Sequence, residues 1–329
     1  MALLKTALTE LLGIEHPIML APMGSAAGGR LAAAVTQAGG LGLVGSGYAN
    51  EASLRKELTE AGNIPVGVGF ITWALDQRPA VLDVALAAKP RAVMLSFGDP
   101  APYIGRIHAA GVHVICQVQT LEEARQAARE GADVIIAQGR DAGGHSGTTR
   151  GTMGFVPAVV DIAGSIPVVA AGGIADGRGL AAALVLGAAG VLMGTRFAVS
   201  RESLWTGVMK QGAVAAGADQ TMQTRVFDIV RGAPWPERYP GRAVRNVFSA
   251  RWHGHEDTLA ADRPMAEAAY EAVGEDDLSQ RVLWAGEGVD LITDVPPAAA
   301  IIGQVVAEAV AALRRAMTLA GAGAGAGAG

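Results

Sequence analysis

Eight short apolar runs recur along the N-terminal part of the chain, at intervals of 21 to 33 residues. They begin at Pro17, Leu41, Pro65, Ala92, His113, Val134, Pro167 and Gly190. Helix-like segments such as GGRLAAAVTQAGG and TLEEARQAAREGA separate them, and these open near a polar residue or a glycine and often end at glycine. Apolar strands that alternate with helices form a parallel sheet covered on both faces. Eight such units predict an α/β fold, a (β/α)8 TIM barrel.

A doubly wound open sheet is the alternative arrangement of alternating strands and helices. In such folds that bind dinucleotides, a G-x-G-x-x-G turn follows the first strand. Here the first apolar run, PIMLAPM, leads into GSAAGGR, which lacks that spacing. The barrel is therefore the favoured fold.

The pattern changes after the eighth run and divides the chain into four parts. Residues 1–204 are predicted to form the barrel. Residues 205–290 hold four of the five tryptophans and are predicted to form a smaller, mostly helical lid. Residues 291–316 are expected to form a C-terminal helix that packs back on the barrel. The Gly/Ala repeat within residues 317–329 predicts a flexible tail.

Composition and charge argue against several classes of protein. The 329 residues carry a net charge of −5 with no run of Lys or Arg, so neither nucleic acid nor an anionic membrane is an expected partner. Gln304 and Glu308 interrupt the C-terminal apolar segment, which is therefore predicted to be amphipathic and not membrane-spanning. The single cysteine, Cys116, lies in an apolar run and is expected to be a buried structural thiol. With no convincing signal peptide, a cytoplasmic location is expected.

Glycines and small polar residues gather where the apolar runs end. In a barrel these ends form one rim, and functional groups lie there. The loops after the seventh and eighth strands, AAGGIADGRG and MGTRF, occupy the usual phosphate-binding position of barrel enzymes. The backbone N–H groups at this position, with the threonine hydroxyl, are predicted to bind a phosphate. The residues are Gly172, Gly173, Gly194 and Thr195.

Other rim residues predict a planar group attached to that phosphate. Gln138 ends the sixth strand and carries an amide donor and an acceptor suited to a flat heterocycle. The backbone of Ala21, Pro22 and Met23 is expected to lie along the edge of the same ring, with Pro22 fixing the chain direction. The spacing thus indicates an elongated phosphorylated ligand. Flavin mononucleotide (FMN) has the phosphate, linker and ring that such a site suits.

A metal site is not expected. The segment RWHGHED places His253, His255, Glu256 and Asp257 close together, but no second cluster of ligands accompanies them. We interpret these side chains as solvated surface.

Four motifs, APM, AQGRDAGGHSG, AAGGI and MGTRF, closely resemble those of the nitronate monooxygenases, and the resemblance spans roughly residues 12–200. It implies an FMN-bearing barrel with a smaller lid domain. It also implies that His145 is the catalytic base above the flavin. The FMN contacts that it implies are Gln138, Gly143, Gly173, Leu192, Met193, Gly194 and Thr195.

Two positions depart from the family pattern. Many members have an asparagine in the third-strand motif, where this chain has Gly67-Val68-Gly69. The side-chain contact to FMN is therefore either absent or replaced by the backbone, for which Gly69 is the candidate. The glutamate that usually precedes A-G-G-H is Asp141 here. FMN-dependent enoyl-acyl-carrier-protein reductases share A-G-G-H, but often carry a glutamate where this chain has Gln138.

The resemblance implies oxidation of nitroalkanes or alkyl nitronates by O2 to carbonyl compounds and nitrite. His145 would take the proton from the carbon that bears the nitro group, because imidazole is largely neutral near pH 7 and accepts a proton readily. The flanking glycines are expected to keep space open for flavin and substrate. The alternative function is an NAD(P)H-dependent FMN reductase of quinones or enoyl thioesters. A non-enzymatic flavin-binding protein is disfavoured, because the unusual residues concentrate at one rim.

Overall fold

The computed structural model describes residues 4–322. Its strands are β1 (Ile18–Leu20), β2 (Leu43–Gly45), β3 (Gly67–Ile71), β4 (Ala92–Ser96), β5 (His113–Val118), β6 (Val134–Gln138), β7 (Gly144–His145), β8 (Val168–Ala171), β9 (Gly190–Met193), β10 (Thr221–Thr224) and β11 (Gly241–Val244). Eight of them form one parallel sheet in the order β1-β9-β8-β6-β5-β4-β3-β2. Each of these eight lies at one of the predicted apolar runs, so the predicted barrel is confirmed.

The two ends of this sheet meet and close the barrel through a short contact. Met19 of β1 forms an isolated parallel bridge with Leu41, just before β2. The Leu41 N–H donates to the carbonyl of Ile18 at 3.0 Å, and the Leu20 N–H donates to the carbonyl of Leu41 at 2.9 Å. These bonds satisfy backbone groups that an open sheet would leave at its edges.

Helices surround the barrel and build the lid. They are α1 (Ala7–Leu12), α2 (Gly29–Gln37), α3 (Glu51–Ala61), α4 (Thr72–Leu75), α5 (Val81–Ala87), α6 (Ala101–Ala109), α7 (Leu121–Glu130), α8 (Thr152–Ala163), α9 (Gly177–Val185), α10 (Thr195–Ala198), α11 (Gly207–Ala215), α12 (Val226–Val230), α13 (Val247–Trp252), α14 (Glu256–Ala261), α15 (Arg263–Ala272) and α16 (Ala298–Ala322). Two 3-10 turns, Ala218–Gln220 and Val289–Leu291, complete the set.

Helix α7 shows how local sequence sets these boundaries. Thr120 and Glu123 form a capping box at its start, in which each side chain accepts from the backbone of the other. Gly131 ends it in the left-handed conformation, with φ 92°, which glycine adopts without steric cost. Ala124 and Ala127 face the sheet, and their small side chains let the helix pack closely against it.

The barrel interior is filled by alternate residues of the strands. Met19, Leu43, Met94, Ile136 and their neighbours form an apolar cluster that is almost completely buried. Helix α1 adds Leu8 and Leu12 to the same cluster and so seals one end of the barrel. The other end, where the strands finish, stays available for a ligand.

The lid contains a small antiparallel sheet as well as helices. Its strand order is β10-β11-β7, so the third strand comes from the barrel loop that holds His145. Helices α11 to α15 account for most of its regular structure, as the sequence predicted, but the sheet was not predicted. Its strands read TMQT and GRAV, and neither is apolar enough to predict a buried strand. The boundaries at residues 204 and 290 stay predictions.

The C-terminal helix α16 packs against α9 and α2. One face is buried and includes Ile302 and Val305, while the Glu308 carboxylate accepts from the Gly177 N–H at 2.9 Å. The helix runs to Ala322, so residues 317–322 of the predicted tail are helical, and residues 323–329 lie outside the described range. Among residues 4–322, no helix has the length and apolar character that crossing a membrane requires.

The thiol of Cys116 on β5 offers a direct test of burial. It is 2% exposed, and loss of hydration raises its pKa to about 12. Because the thiolate is the reactive form, we expect the folded protein to react with an aromatic disulfide reagent at pH 8 about a thousandfold more slowly than protein unfolded in guanidinium. Cys116→Ser controls for background consumption of the reagent. Comparable folded and unfolded rates would contradict a buried thiol.

Candidate active site

A cavity of about 410 Å³ opens at the C-terminal ends of the barrel strands. This volume lies within the range of about 300–1,000 Å³ that is usual for cofactor and ligand sites. Met94 and Leu192 of the interior cluster form part of its wall. Most of the predicted site residues also line it, namely Ala21, Pro22, Met23, Gln138, Gly143, His145, Gly172, Gly173, Leu192, Gly194 and Thr195.

Two predicted contact residues lie behind the cavity wall. A Cβ atom on Gly69 would overlap the ring of Pro22, so the glycine lets Pro22 lie directly against β3. Met193 is fully buried among residues that pack outside the barrel, and its carbonyl accepts from the Ala21 N–H at 3.0 Å. Both residues therefore support the strand-one loop, which itself faces the cavity.

One end of the cavity is lined by backbone. Gly172 and Gly173 follow β8 with φ of 110° and 69°, a left-handed backbone that other residues rarely adopt. Gly194 precedes α10, and Thr195 is the first residue of that helix. Loops of this kind present N–H groups to an anion without side chains in the way. The arrangement fits the predicted phosphate site.

Trp205 supplies a polar group that the sequence did not single out. It is 5% exposed, lines the cavity and packs near Met23 and Ala198. Its indole N–H is buried and has no acceptor among the described residues. A buried donor without a partner is costly, so a cavity that holds an acceptor at this point would satisfy it. The residues present thus fit a phosphorylated cofactor.

A lid segment, residues 284–288, closes the same end. The Gly286 N–H donates to the Thr195 hydroxyl at 3.1 Å. A Cβ atom on Gly288 would lie 2.5 Å from the carbonyl oxygen of Gly173, so backbone packs directly on backbone here. This wall was not predicted from the sequence, although the run AGEG within the lid was a visible signal.

The amide of Gln138 is largely occupied by other protein groups. Its Oε1 accepts from Nε2 of Gln119 at 2.9 Å and from Nε2 of Gln117 at 3.2 Å. Its Nε2 donates to the carbonyl of His145 at 3.1 Å. Both acceptor positions of Oε1 are therefore taken by protein groups, while Nε2 keeps a second N–H, so the predicted ligand contact of Gln138 stays a prediction that this donor would carry. Gln138 holds the His145 loop in place, and Gln117 lines the cavity beside it.

His145 lies at the junction of barrel and lid. Its backbone pairs with Gly241 of β11, and its side chain is 11% exposed. The ring Nε2 is 2.9 Å from Oδ2 of Asp228, a lid residue whose side chain is 6% exposed. Arg231 lies 3.1 Å from the other oxygen of that carboxylate. A largely buried histidine and carboxylate thus form one chain of polar contacts with a more exposed guanidinium.

Aromatic side chains surround this histidine. Trp235 stacks on the imidazole with ring centroids 3.5 Å apart and planes 8° from parallel, and Trp284 lies 5.1 Å away. The Trp235 N–H donates to the hydroxyl of Tyr48 at 3.0 Å. Burial raises the pKa of Tyr48 above its ordinary value, and this outweighs the opposing effect of Arg231. Tyr48 is therefore neutral near pH 7, and its hydroxyl adds no charge to the cavity wall.

Asp141 and the lid residue His253 make structural contacts away from the ring of His145. The Asp141 carboxylate accepts from the Thr152 N–H at 2.6 Å and so caps helix α8. His253 lies 3.5 Å from Glu256 at the surface of the lid. Across residues 4–322, no three His, Cys, Asp or Glu side chains come together as ligands for a metal ion.

Comparison with known proteins places the chain in a family. The barrel, its rim cavity and the motifs around it define a flavin-dependent oxidoreductase that acts on a small-molecule substrate. The chain belongs to the nitronate monooxygenase family, whose sequence profile matches residues 5–77 and 71–308.

Similar proteins span almost the whole chain. The nitronate monooxygenase of Neurospora crassa is 35% identical over 356 aligned positions, which cover 93% of this chain and 92% of that protein. The (3aS,4S,5R,7aS)-5-hydroxy-7a-methyl-1-oxo-octahydro-1H-indene-4-carboxyl-CoA dehydrogenase of Rhodococcus jostii is 33% identical over 349 positions, 94% of this chain and 97% of that protein. The structure of FabK from Thermotoga maritima has a TM-score of 0.83 at 35% identity, covering 96% of this chain and 99% of its own.

Gly194 is the best position at which to test cofactor binding. Its φ of −102° is not left-handed, and a Cβ there would meet only Met23 and Ala21, at 3.4 and 3.7 Å. We expect Gly194→Val to fold but to bind flavin at least about tenfold more weakly, a loss of about 1.4 kcal/mol, because the branched side chain enters the cofactor space.

The measurement is flavin fluorescence quenching during titration of the apoprotein. Gly105→Val on α6 is the matched control, since a Cβ atom there meets nothing within 4 Å. An unchanged flavin Kd for Gly194→Val would show that the cofactor does not approach this loop.

Proposed function

We propose that the protein is an FMN-dependent nitronate monooxygenase that oxidises nitroalkanes or alkyl nitronates with O2 to carbonyl compounds and nitrite. The observation that carries the proposal is the position of His145. It lies at the cavity wall, with one ring nitrogen 2.9 Å from a buried carboxylate and its face covered by Trp235. The family membership and the Neurospora crassa relative support the same chemistry.

The choice of FMN rests on the closed end of the cavity. The loops at Gly172–Gly173 and Gly194–Thr195 suit a single terminal phosphate, and residues 284–288 cover them. A second nucleotide, as in FAD, would have to displace that covering segment. When bound, the flavin supplies the electron acceptor for the oxidation.

His145 is assigned the proton step. A neutral nitroalkane loses the proton from the carbon that bears the nitro group, and the electron pair of that C–H bond moves onto the nitro group to give a nitronate. The imidazole accepts the proton, and the buried Asp228 carboxylate stabilises the resulting positive charge. Trp235 and Trp284 restrict water around the ring, so the base meets the substrate in a largely apolar site.

A reductase is the second candidate. It would use NAD(P)H to reduce a quinone or an enoyl thioester through FMN. The relative from Rhodococcus jostii supports it, because its name describes a dehydrogenase of a carboxyl-CoA compound.

Anaerobic mixing of the protein with each candidate reductant separates the two functions. Loss of flavin absorbance with propionate 3-nitronate, and not with NADH or NADPH, supports the nitronate reaction. Rapid loss with a nicotinamide and none with the nitronate favours the reductase.

The role of His145 is tested by comparing two forms of one substrate. We expect His145→Asn to keep its flavin and to lose about 10²- to 10⁴-fold in turnover of neutral nitroalkanes, because an amide does not accept the proton at a useful rate. Oxidation of the preformed nitronates should fall much less, since their proton has already left. Oxygen consumption and nitrite release measure both reactions.

A surface pair provides the control for this substitution. His108 lies 3.0 Å from Asp133 outside the cavity, so His108→Asn breaks a similar contact without touching the site. Equal losses on nitroalkane and nitronate would mean that His145 binds or orients substrate and is not the base.

A further inference from the structure

We propose that Asp228 is a positioning residue, which fixes the tautomer and the ring orientation of His145 so that Nδ1 is the nitrogen that takes the substrate proton. This inference rests on the proposed role of His145 as the base. Beyond that role, it specifies Nδ1 as the atom that accepts the proton and Asp228 as the lid residue that selects this atom.

The hydrogen-bond partner of the His145 ring determines which ring nitrogen carries the proton. An ionised carboxylate only accepts hydrogen bonds, so a neutral imidazole bonded to it through Nε2 carries its proton on Nε2. The 2.9 Å contact with Asp228 therefore stabilises the Nε2–H tautomer and leaves the lone pair on Nδ1. Among residues 4–322, Nδ1 of His145 makes no hydrogen bond. It is the free basic atom of the ring.

The Asp228 carboxylate is held by a second group besides His145. Arg231 lies 3.1 Å from Oδ1 of Asp228, while Oδ2 faces His145, so the two oxygens have separate partners. Arg231 is itself held in place, because its Nε donates to the carbonyl of Phe227 at 2.8 Å. The Asp228 side chain is 6% exposed and its Oδ1 accepts from this fixed guanidinium, so Oδ2 is held in position to accept from His145.

Three other contacts hold His145 in place. The His145 backbone is held by its pairing with β11 and by the Gln138 amide. Trp235 stacks on the ring and fixes its plane. A half-turn of the imidazole about its Cβ–Cγ bond would return the ring to the same plane and leave the stack intact. It would, however, place carbon atoms where Nδ1 and Nε2 now lie. Among residues 4–322, the hydrogen bond to Asp228 is the one that the ring of His145 makes, so it distinguishes these two orientations, whereas Trp235 presents the same apolar face to both.

Nuclear magnetic resonance of protein labelled with ¹⁵N-histidine tests the inference without turnover. The two-bond ¹H–¹⁵N correlations of a neutral imidazole show which nitrogen carries the proton. The His145 signals, among those of six histidines, are identified by their loss in His145→Asn. We expect the Nε2–H tautomer in the parent protein. In Asp228→Asn we expect a mixture or the Nδ1–H form, because a carboxamide presents a donor as well as an acceptor. Asp228→Glu should retain the parent tautomer.

Kinetics supply the second readout. Asp228→Asn should lose at least about tenfold in turnover of neutral nitroalkanes with little change in nitronate oxidation, and Asp228→Glu should restore part of the loss. Asp133→Asn, which alters the surface partner of His108, is the matched control and should change neither readout.

The outcomes separate this inference from the proposed function. An Nδ1–H tautomer in the parent protein overturns the inference even if neither Asp228 variant folds. An unchanged tautomer in Asp228→Asn, with a lower KM for anionic nitronates, also overturns it, because the carboxylate would then occupy the place of the substrate anion. A tautomer that depends on Asp228, in a protein without nitroalkane or nitronate activity, supports the positioning role and refutes the proposed reaction instead.

Discussion

The pairing of β11 with β7 is the interaction on which the site depends. It joins Gly241 to His145 and Arg242 to Gly144, so a lid strand turns a barrel loop into part of a sheet. Arg242 strengthens the junction, because its buried guanidinium donates to the carbonyl of Arg140 at 3.2 Å and to the hydroxyl of Thr221 at 3.1 Å. The same group forms an ion pair with Glu287 at 2.8 Å. One side chain thus ties the His145 loop, the lid hairpin and residues 284–288 together.

This junction holds together side chains that lie far apart in the sequence. Asp228 and Trp235 lie on the chain that connects the two strands of the lid hairpin, so the register of those strands sets where both side chains reach. If the pairing slipped by one residue, successive side chains would exchange faces. His145, Asp228 and Trp235 would then separate. The sheet therefore determines the geometry, while the individual polar contacts refine it.

The barrel could be predicted from the sequence because its signals are local. Buried parallel strands are continuous apolar runs, and the helices between them carry caps such as Thr120 and Gly131. The strand-end loops with Gly173 and Gly194 were predicted for the same reason, since a barrel gathers its strand ends at one rim. No knowledge of distant contacts was needed for any of these features.

The lid side of the site could not be predicted, because its contacts join distant parts of the chain. Asp228 is 83 residues from His145, and neither residue carries a local signal that it will meet the other. Gln138 shows a second limit. Its place at the end of a strand was clear, but the competing amides of Gln117 and Gln119 lie on a different strand and its extension, and they take the acceptor that a ligand was expected to use. Which side chains compete for one acceptor depends on their proximity in the folded protein. The hydrophobic periodicity of the sequence does not show that proximity.

Two of the glycines around His145 have a physical cause other than the one expected. Gly144 has a φ of 70°, which turns the loop into its short strand. A Cβ atom on Gly143 would lie 2.5 Å from the backbone nitrogen of Gly286, and one on Gly147 would lie 2.8 Å from the ring of Tyr239. At Gly143 and Gly147, the lid already occupies the space that a side chain would need. The loop is poor in side chains mainly because a second layer of protein lies against it, and that layer brings the carboxylate to the histidine.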